Sequence, residues 1–255
     1  MIPPKIPIGP FTIHLYGVII AASIYSGWLL ARKRAFLYKI PLKYFDELIL
    51  LIPLVLGFSL ARAYHVVDYL GYYSQNPVQI INLSAGGLGI FGGILGIFIG
   101  FAILARIKKI NALAVFDLIS PSVLLGQAIG RVGNWINQEG FGPPTNLPWG
   151  VYISPQYRPQ QLQLFSYFHP TFFYEAILDL IFFLILLKLS TRFKKPGQTF
   201  ALYLILYGLG RIFAEFFRID TFTIWGIKLA YVFSSISIAL GIYFFLSLKD
   251  TNSRG

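Results

Sequence analysis

Two arginines and two carboxylates stand out because they occur in or beside long apolar stretches of this chain. Arg211 and Glu215 are four residues apart, so they share one face of a predicted helix and can form an ion pair. Arg131 and Glu139 follow another apolar stretch. A guanidinium group binds phosphate through two parallel hydrogen bonds and stays charged when it is buried. These residues predict a site that binds a phosphate group or stabilises negative charge on a phosphate leaving group.

The alternative interpretation is that these charges only neutralise one another. A larger set of polar residues at the same expected depth weakens it, because ionisable groups inside membrane spans are costly and tend to be functional. At about 1.5 Å per helical residue, all of them can lie within roughly 10 Å of the outer membrane boundary and predict one polar cavity there. The further residues are Tyr16, Arg62, Tyr64, Asn134, His169, Tyr174 and Glu175. For the deeper Asp117 and Asp179 we expect structural hydrogen bonds.

The composition predicts an all-α integral membrane protein. The 255 residues are 56% hydrophobic and 12% charged, with a mean hydropathy of +0.67, whereas soluble domains carry about 25% charged residues. This excludes a disordered chain and an ordinary water-soluble enzyme. About seven apolar blocks are long enough to cross a membrane. They cover residues 11–31, 46–66, 86–105, 112–129, 170–189, 199–218 and 225–247.

The distribution of lysine and arginine predicts the orientation of these spans. Fourteen of the 21 basic residues follow blocks one, three, five and seven, and the positive-inside bias places those connections in the cytoplasm. The N-terminus is then outside and the C-terminus inside. We expect a single polytopic domain, residues 1–255, with an outer-side head at 130–168 and an outer-side arm loop at 67–85. The many glycines of the third block predict a close-packed helix seam.

Other functional classes are excluded by residues that are missing or widely separated. The chain has no cysteine, and its three histidines are too far apart for a helical metal pair, so we expect no metal. The net charge of +11 arises from short basic runs that suit lipid headgroups, and we expect membrane lipid rather than nucleic acid as a partner. No serine or threonine nucleophile beside a histidine base is evident. Without a basic n-region or a cleavage site, the chain is expected to be mature from Met1.

Residues 130–142, GRVGNWINQEGFG, resemble the signature GRxGNFxNxExxG of bacterial prolipoprotein diacylglyceryl transferases. Every fixed position matches except Trp135, which replaces a phenylalanine. Supporting matches cover nearly the whole chain. They are 15–17 (LYG), 61–64 (ARAY), 85–87 (AGG), 92–93 (GG), 169–175 (HPTFFYE), 207–208 (YG), 211 (R) and 215–218 (EFFR). The seven-span architecture with an outer N-terminus is also similar to that family's.

The resemblance implies an activity and a location. The family transfers the diacylglyceryl group of phosphatidylglycerol to the lipobox cysteine thiol of a preprolipoprotein signal peptide, and glycerol phosphate leaves. The reaction takes place in the bacterial cytoplasmic (inner) membrane, with the active site facing the outer leaflet, and uses no metal or organic cofactor. The nucleophile would belong to the substrate, which agrees with the absence of cysteine from this chain.

The resemblance also implies which residues are catalytic. Arg131 and Arg211 are similar to the arginines that bind phosphate and stabilise the leaving group. Asn134 and Glu139 match essential positions of the signature, and Tyr16 matches a tyrosine of the first span.

A wider set of residues is expected to bind substrate. Gly142 matches a further essential position of the signature, and Glu215 would orient Arg211. The segment 169–175 resembles a supporting motif whose individual roles stay open. The expected substrate-binding residues are Arg131, Arg211, Glu215, Gly142, Arg62, Tyr64, His169, Tyr174 and Glu175.

One departure from the family pattern concerns the proton acceptor. Many members have histidine, and others tyrosine, just before the paired glycines of the third span, where this chain has Phe91. Phenylalanine cannot accept a proton, so a base role cannot be carried over. A free thiol with a pKa of about 8.5 is a few per cent thiolate at neutral pH, and nearby arginines raise that fraction. Either deprotonation needs little help, or Glu139 or Tyr16 assists it.

Two other functions remain open at this point. A divergent paralogue would have weak or altered catalysis because of Phe91. A lipid or solute transporter would also need polar residues towards the inner leaflet, and such proteins commonly contain internal repeats. The bias of polar residues to the outer side and the lack of a sustained repeat argue against a transporter.

Overall fold

The computed structural model of the protein describes residues 3–9, 11–47, 50–82, 87–219, 223–224 and 227–249, and these are mostly helical. Eight α-helices follow one another within this part of the chain. They are α1 Leu15–Arg34, α2 Leu51–Asp68, α3 Leu70–Gln75, α4 Ile90–Ile107, α5 Ala112–Asn137, α6 Thr171–Ser190, α7 Gln198–Glu215 and α8 Leu229–Lys249. Short 3-10 helices cover Ala35–Tyr38, Leu42–Phe45, Pro77–Ile81, Pro155–Tyr157 and Gln160–Leu162.

Short strands form antiparallel pairs beside the helices. Strand β1 (Lys5–Ile8) pairs with β2 (Phe11–His14), with Lys5 opposite His14. In the head, β3 (Val151–Tyr152) pairs with β4 (Tyr167–Phe168), and β5 (Thr223–Ile224) pairs with β6 (Ile227–Lys228) ahead of α8. Each strand has only two to four residues, so the fold class stays predominantly helical.

Five helical segments among the described residues are long and apolar enough to cross a membrane. They are Leu15–Tyr38, Leu51–Asp68, Ile90–Ile107, Ala112–Asn137 and Leu229–Leu248. This confirms a multi-pass helical membrane protein. Helices α6 and α7 have 20 and 18 residues, which is also the length of a span, but they carry several charged residues. Glu175, Asp179 and Lys188 lie in α6, and Arg211 and Glu215 lie in α7.

The predicted end of the fourth span is wrong. Helix α5 continues past residue 129 to Asn137, so Arg131 and Asn134 are helical and the head begins only after Asn137. Gly130 and Gly133 do not end this helix, because an interior glycine costs only about 1 kcal/mol relative to alanine, and the ring of Tyr16 packs on the helix at Gly133.

Two other predicted boundaries also change. The first helix starts at Leu15, because residues 11–14 form strand β2, and Tyr16 therefore lies in the first helical turn. The predicted arm loop contains helix α3 and the 3-10 helix Pro77–Ile81, while its residues 83–85 lie outside the described part of the chain.

The chain forms two compact units, and the unit of residues 34–118 is built around the packing of α2 on α4. Three glycines on one face of α4 allow this close approach. An added methyl group would lie 2.7 Å from Cβ of Tyr64 at Gly92, 2.8 Å from Cα of Gly57 at Gly96, and 2.9 Å from Cβ of Pro53 at Gly100. The prediction of a close-packed glycine seam is therefore confirmed for these positions, while Gly86 of the same block lies outside the described residues.

The second unit contains residues 1–33 and 119–255, and it includes α6, α7 and α8 packed in sequence. Close backbone approach again joins two helices, since a methyl group at Gly208 on α7 would lie 2.8 Å from the carbonyl oxygen of Ser234 on α8. The head contributes a small hydrophobic core of its own. This core consists of Phe141, Ile153, Phe168 and Phe172, and it fixes the chain between the end of α5 and the start of α6.

Candidate active site

The carboxylate of Glu175 is the centre of an ion-pair cluster. Glu175 lies near the start of α6, and its side chain is only 5% exposed. Its Oε2 contacts Nη2 of Arg131 on α5 and lies 3.6 Å from Nη1 of Arg211 on α7. Its Oε1 accepts a hydrogen bond from Nη1 of Arg218 at 3.3 Å. One buried carboxylate thus holds three guanidinium groups.

A second carboxylate, that of Glu215, supports Arg211 from the other side. Nη2 of Arg211 lies 2.8 Å from Oε2 of Glu215, one turn further along α7. Lys228 lies 3.9 Å from Oε1 of Glu215 and donates a hydrogen bond to its backbone oxygen at 3.1 Å. Glu215 has no exposed side-chain surface. The ion pair predicted from the spacing of Arg211 and Glu215 is therefore confirmed.

A small cavity lies beside this cluster. Its space is about 260 Å³ including the open mouth, and its lining comes from α5, α6 and α7. The lining residues are Arg131, Glu175, Leu178, Asp179, Tyr207, Gly210 and Arg211.

Sequence reasoning missed three members of this site. Asp179, for which we expected a structural hydrogen bond, lies in the cavity wall together with Tyr207, and Arg218 binds Glu175. Helical spacing offered a signal for two of them, because Asp179 is four residues after Glu175 and Tyr207 is four residues before Arg211. Arg218 follows α7, and no spacing rule pointed to its contact with α6.

The residues of the signature segment are connected by the way α5 ends. The N–H of Glu139 donates to the carbonyl of Asn134 at 3.0 Å, and Gln138 takes the left-handed conformation with φ of 54°, which is a Schellman-type helix end. This turn brings the Glu139 carboxylate back to the amides of Asn134 and Asn137, at 3.2 and 3.4 Å. Asn134 in turn accepts a hydrogen bond from Arg131 at 3.4 Å. A chain of contacts therefore runs from Glu139 to Arg131.

Tyr16 joins the signature segment from α1. Its ring lies directly over Gly133, where an added methyl group would be 2.6 Å from Cε2 of the ring. The phenol lies within electrostatic range of Glu139 and Arg131. The structure therefore brings together Tyr16 and the signature residues, as expected of a shared site.

His169, Tyr174 and Gly142 form a separate cluster under the head. Nδ1 of His169 is 3.1 Å from the Tyr174 hydroxyl, which also accepts a hydrogen bond from Nε1 of Trp149 at 2.9 Å. The N–H of Gly142 donates to the carbonyl of His169 at 2.8 Å. A side chain at Gly142 would lie 2.6 Å from Oγ1 of Thr171. These contacts favour a role in holding the head against α6.

Arg62 and Tyr64 lie on α2 in the unit of residues 34–118. Arg62 is buried, and its guanidinium donates to backbone carbonyl oxygens at 2.5–3.2 Å. The accepting residues are Gln79, Ile80, Asn82 and Gly87. The ring of Tyr64 packs against that of Phe91, with centroids 5.9 Å apart. The contacts of Arg62 favour a structural role over the predicted contact with substrate.

In the described part of the chain, no group of three or more His, Cys, Asp or Glu side chains could hold a metal ion. The positively charged groups in contact with Glu175 and Glu215 are Arg131, Arg211, Arg218 and Lys228. A multi-pass helical membrane protein with a cavity lined by arginines and carboxylates is the class that the fold and this site define.

Comparison with known proteins assigns the family. Residues 3–247 match the model of the family described as prolipoprotein diacylglyceryl transferase. The chain is 40% identical over 247 residues to the phosphatidylglycerol–prolipoprotein diacylglyceryl transferase of a Nostoc species, covering 94% of this chain and 87% of the relative. The enzymes of the same name from Thermotoga maritima and Bacillus cytotoxicus are 39% and 36% identical, over 96% of this chain and 84% and 92% of theirs. The chain therefore belongs to the prolipoprotein diacylglyceryl transferase family and is a transferase of lipoprotein biosynthesis.

Family membership confirms the resemblance based on residues 130–142. It favours the transferase over the transporter that the charge pattern had left open.

Proposed function

We propose that this protein transfers the diacylglyceryl group of phosphatidylglycerol to the lipobox cysteine thiol of preprolipoproteins and releases glycerol phosphate. The observation that supports this most directly is the cavity walled by Arg131 and Arg211, because two guanidinium groups suit a phosphodiester. The names of the relatives, which include both substrates, support the same assignment.

The proposed reaction is a displacement at carbon. The thiolate sulfur attacks the carbon of the diacylated glycerol that is bonded to the phosphate oxygen. A carbon–sulfur bond forms there, and the bond from this carbon to the phosphate oxygen breaks. The electron pair of that bond stays on the phosphate oxygen, so the leaving glycerol phosphate gains negative charge. Arg131 and Arg211 would stabilise this charge in a site with little water, which is where electrostatic stabilisation is most effective.

The remaining signature residues would orient the two arginines. Asn134 accepts from Arg131 and is itself bound by Glu139, while Glu215 lies one helical turn from Arg211 and pairs with it. Such contacts restrict the side chains before substrate binds, which lowers the cost of reaching the transition state. Tyr16 would position the end of α5 through its packing on Gly133.

The thiol proton has no acceptor at position 91, because phenylalanine occupies it. We propose that the positive charge of the arginines lowers the pKa of the substrate thiol and raises its thiolate fraction. Each unit of pKa gives about tenfold more thiolate. Glu139 or Tyr16 would assist the removal of the thiol proton.

We further propose that α6 and α7 also span the membrane, giving seven spans with the N-terminus outside and the active site facing the outer leaflet of the bacterial inner membrane. Their lengths of 20 and 18 residues and the clustering of basic residues after alternate spans support this. Because the chain has no cysteine, single cysteines can be labelled without background. We expect Gln156→Cys to react with an impermeant thiol reagent from outside intact spheroplasts and Thr191→Cys to react only after lysis. The reverse pattern would contradict the orientation.

The activity is tested with purified protein, phosphatidylglycerol micelles and a lipobox peptide that contains one cysteine. We expect the mass of one diacylglyceryl group on the peptide, and an equal amount of glycerol phosphate in solution. A peptide with serine in place of cysteine, and micelles of phosphatidylcholine, serve as controls and should yield no product. Modification of the serine peptide, or release of phosphate without peptide modification, would contradict the proposed transfer.

A further inference from the structure

Three arginines share one buried carboxylate in the wall of the cavity. This arrangement leads to an inference that rests on the proposed function and extends it. We propose that Glu175 is a built-in competitor of the substrate phosphate. It holds the arginines while the site is empty, limits how tightly they bind phosphate, and takes them back when glycerol phosphate leaves.

The contacts of Glu175 are those of a bound anion. Its two oxygens meet guanidinium groups of Arg131, Arg211 and Arg218, which come from two helices and the segment after α7. Phosphate is bound by arginine in the same way, through charged hydrogen bonds to more than one oxygen. Because Glu175, Arg131 and Arg211 all line the cavity, an anion that enters it meets the same guanidinium groups that Glu175 occupies.

Glu175 has opposite effects on the empty and the occupied site. Three closely spaced guanidinium groups repel one another, so a carboxylate among them stabilises the empty site. A phosphate bound beside that carboxylate is repelled by it, because two like charges within a few ångströms disfavour each other. The same residue therefore supports folding and weakens phosphate binding.

Weaker binding of phosphate is useful because the product carries more negative charge than the substrate. Phosphatidylglycerol is a diester with one negative charge, whereas glycerol phosphate is a monoester whose charge at neutral pH is about −1.5 to −2. Arginines alone would therefore hold the product more tightly than the substrate. A carboxylate that competes for them offsets this difference and allows turnover.

Glu215 provides a contrast within the same network. It also pairs with Arg211, but it contacts Lys228 as well and is not part of the cavity wall. A phosphate in the cavity would not take its place. We assign Glu215 to positioning Arg211 and only Glu175 to competition with phosphate.

The test replaces Glu175 with glutamine, which keeps the shape and removes the charge. The probe is glycerol phosphate, with glycerol as the uncharged control. In the peptide assay we expect its inhibition constant to fall about tenfold in Glu175→Gln. In a melting experiment in detergent we expect a lower Tm without ligand and a larger rise in Tm with glycerol phosphate than in the wild type. A merely structural role would lower Tm without tightening the binding of glycerol phosphate.

Two other carboxylates provide matched controls. Glu215→Gln removes a charge from the same network outside the cavity wall, and Glu47→Gln removes the partner of Lys108 in the unit of residues 34–118. Neither should bind glycerol phosphate more tightly than the wild type. If both tighten binding as much as Glu175→Gln does, a general change in charge explains the result and the proposal is wrong.

The remaining outcomes separate this proposal from the proposed function. If glycerol phosphate raises the Tm of the wild type but binds Glu175→Gln equally or more weakly, competition by Glu175 is wrong and the phosphate site stands. If it stabilises neither protein, the phosphate site itself is wrong. Should Glu175→Gln fail to fold, Glu175→Asp decides, because the shorter side chain draws the carboxylate away from the arginines. An unchanged or higher inhibition constant in Glu175→Asp would then overturn the proposal.

Discussion

Arg62 and Arg211 are both arginines on long helices, yet their surroundings differ in kind. Arg62 donates to neutral backbone carbonyls, at distances of 2.5–3.2 Å. Arg211 lies between the carboxylates of Glu175 and Glu215 and lines a cavity. Carbonyl groups fixed in the backbone cannot exchange for a ligand, whereas a side-chain carboxylate can give way to another anion. The first arrangement therefore holds a chain segment in place, and the second is suited to binding and release.

The largest expected effect concerns the arginines of the cavity. Arg131→Lys and Arg211→Lys keep the charge but lose the two-pronged hydrogen bonding of guanidinium to phosphate. We expect kcat to fall about 10²–10³-fold in each variant, measured by mass shift of a lipobox peptide. Arg158→Lys is the matched control, because Arg158 in the head donates to the carbonyls of Ile153 and Gln163. A loss of kcat in Arg158→Lys as large as in the other two variants would show that Arg131 and Arg211 have no special role in the reaction.

The contact of Tyr16 with α5 is tested by a pair of glycines on the same helix. Gly133→Ala places a methyl group against the Tyr16 ring, whereas nothing lies within 4 Å of the corresponding position at Gly130. Small displacements in an active site are costly, and we expect kcat to fall by about tenfold or more in Gly133→Ala. Gly130→Ala should keep kcat within a few-fold. Equal activities of the two variants would show that the position of Tyr16 does not matter for the reaction.

Replacing Arg62 should mainly affect stability. Arg62→Met leaves four backbone carbonyl groups without their side-chain donor, so we expect the free energy of unfolding to fall by about 2–4 kcal/mol. Tm in detergent, followed by tryptophan fluorescence, measures this loss. The KM for phosphatidylglycerol, measured below the new Tm, should change little. A large rise in KM without a loss of Tm would instead support the sequence-based prediction that Arg62 contacts substrate.

The smallest effect is expected at Phe91. Phe91→His introduces a possible proton acceptor. In the proposed mechanism the arginines already favour the thiolate, so the rate should change only a few-fold against the roughly 10²–10⁴-fold that a positioned base supplies. The pH–rate profile of the wild type should rise with an apparent pKa well below the value of about 8.5 for a free thiol. A profile that follows the free thiol, together with strong acceleration in Phe91→His, would show that this chain lacks a base it needs.

The parts of the site that sequence predicted are those set by local spacing. The pairing of Arg211 with Glu215 follows from helical periodicity, and the apolar blocks predicted most helices within a few residues. The hydrogen bond between Arg218 and Glu175 depends on how α6 is rotated against the end of α7. Helical periodicity alone does not determine this rotation. The predicted end of α5 was eight residues early, because the apolar block ends before Arg131 whereas the helix continues through the polar signature residues to Asn137.

In the signature segment, too, sequence predicted the residue types but not the contacts between them. Its residue types indicated chemistry, but the contacts that link them require the Schellman-type end of α5 and the left-handed Gln138. Trp135, the position that differs from the family pattern, packs against Phe173 with ring centroids 5.7 Å apart and is absent from the cavity wall. We therefore expect an exchange of one aromatic residue for another there to leave the cavity wall unchanged.

The length of α5, which continues past Pro121, sets how far Arg131 lies from Ala112 along the helix. A helix of 26 residues is about 39 Å long, whereas the hydrocarbon core of a bilayer is about 30 Å thick. When Ala112 lies at one edge of that core, the last turns extend beyond the other edge, and Arg131 lies close to it. Lipid phosphates occupy the same level, so phosphatidylglycerol could meet this arginine without being lifted out of its leaflet. Deleting one turn of α5 would draw Arg131 about 5.4 Å into the hydrocarbon.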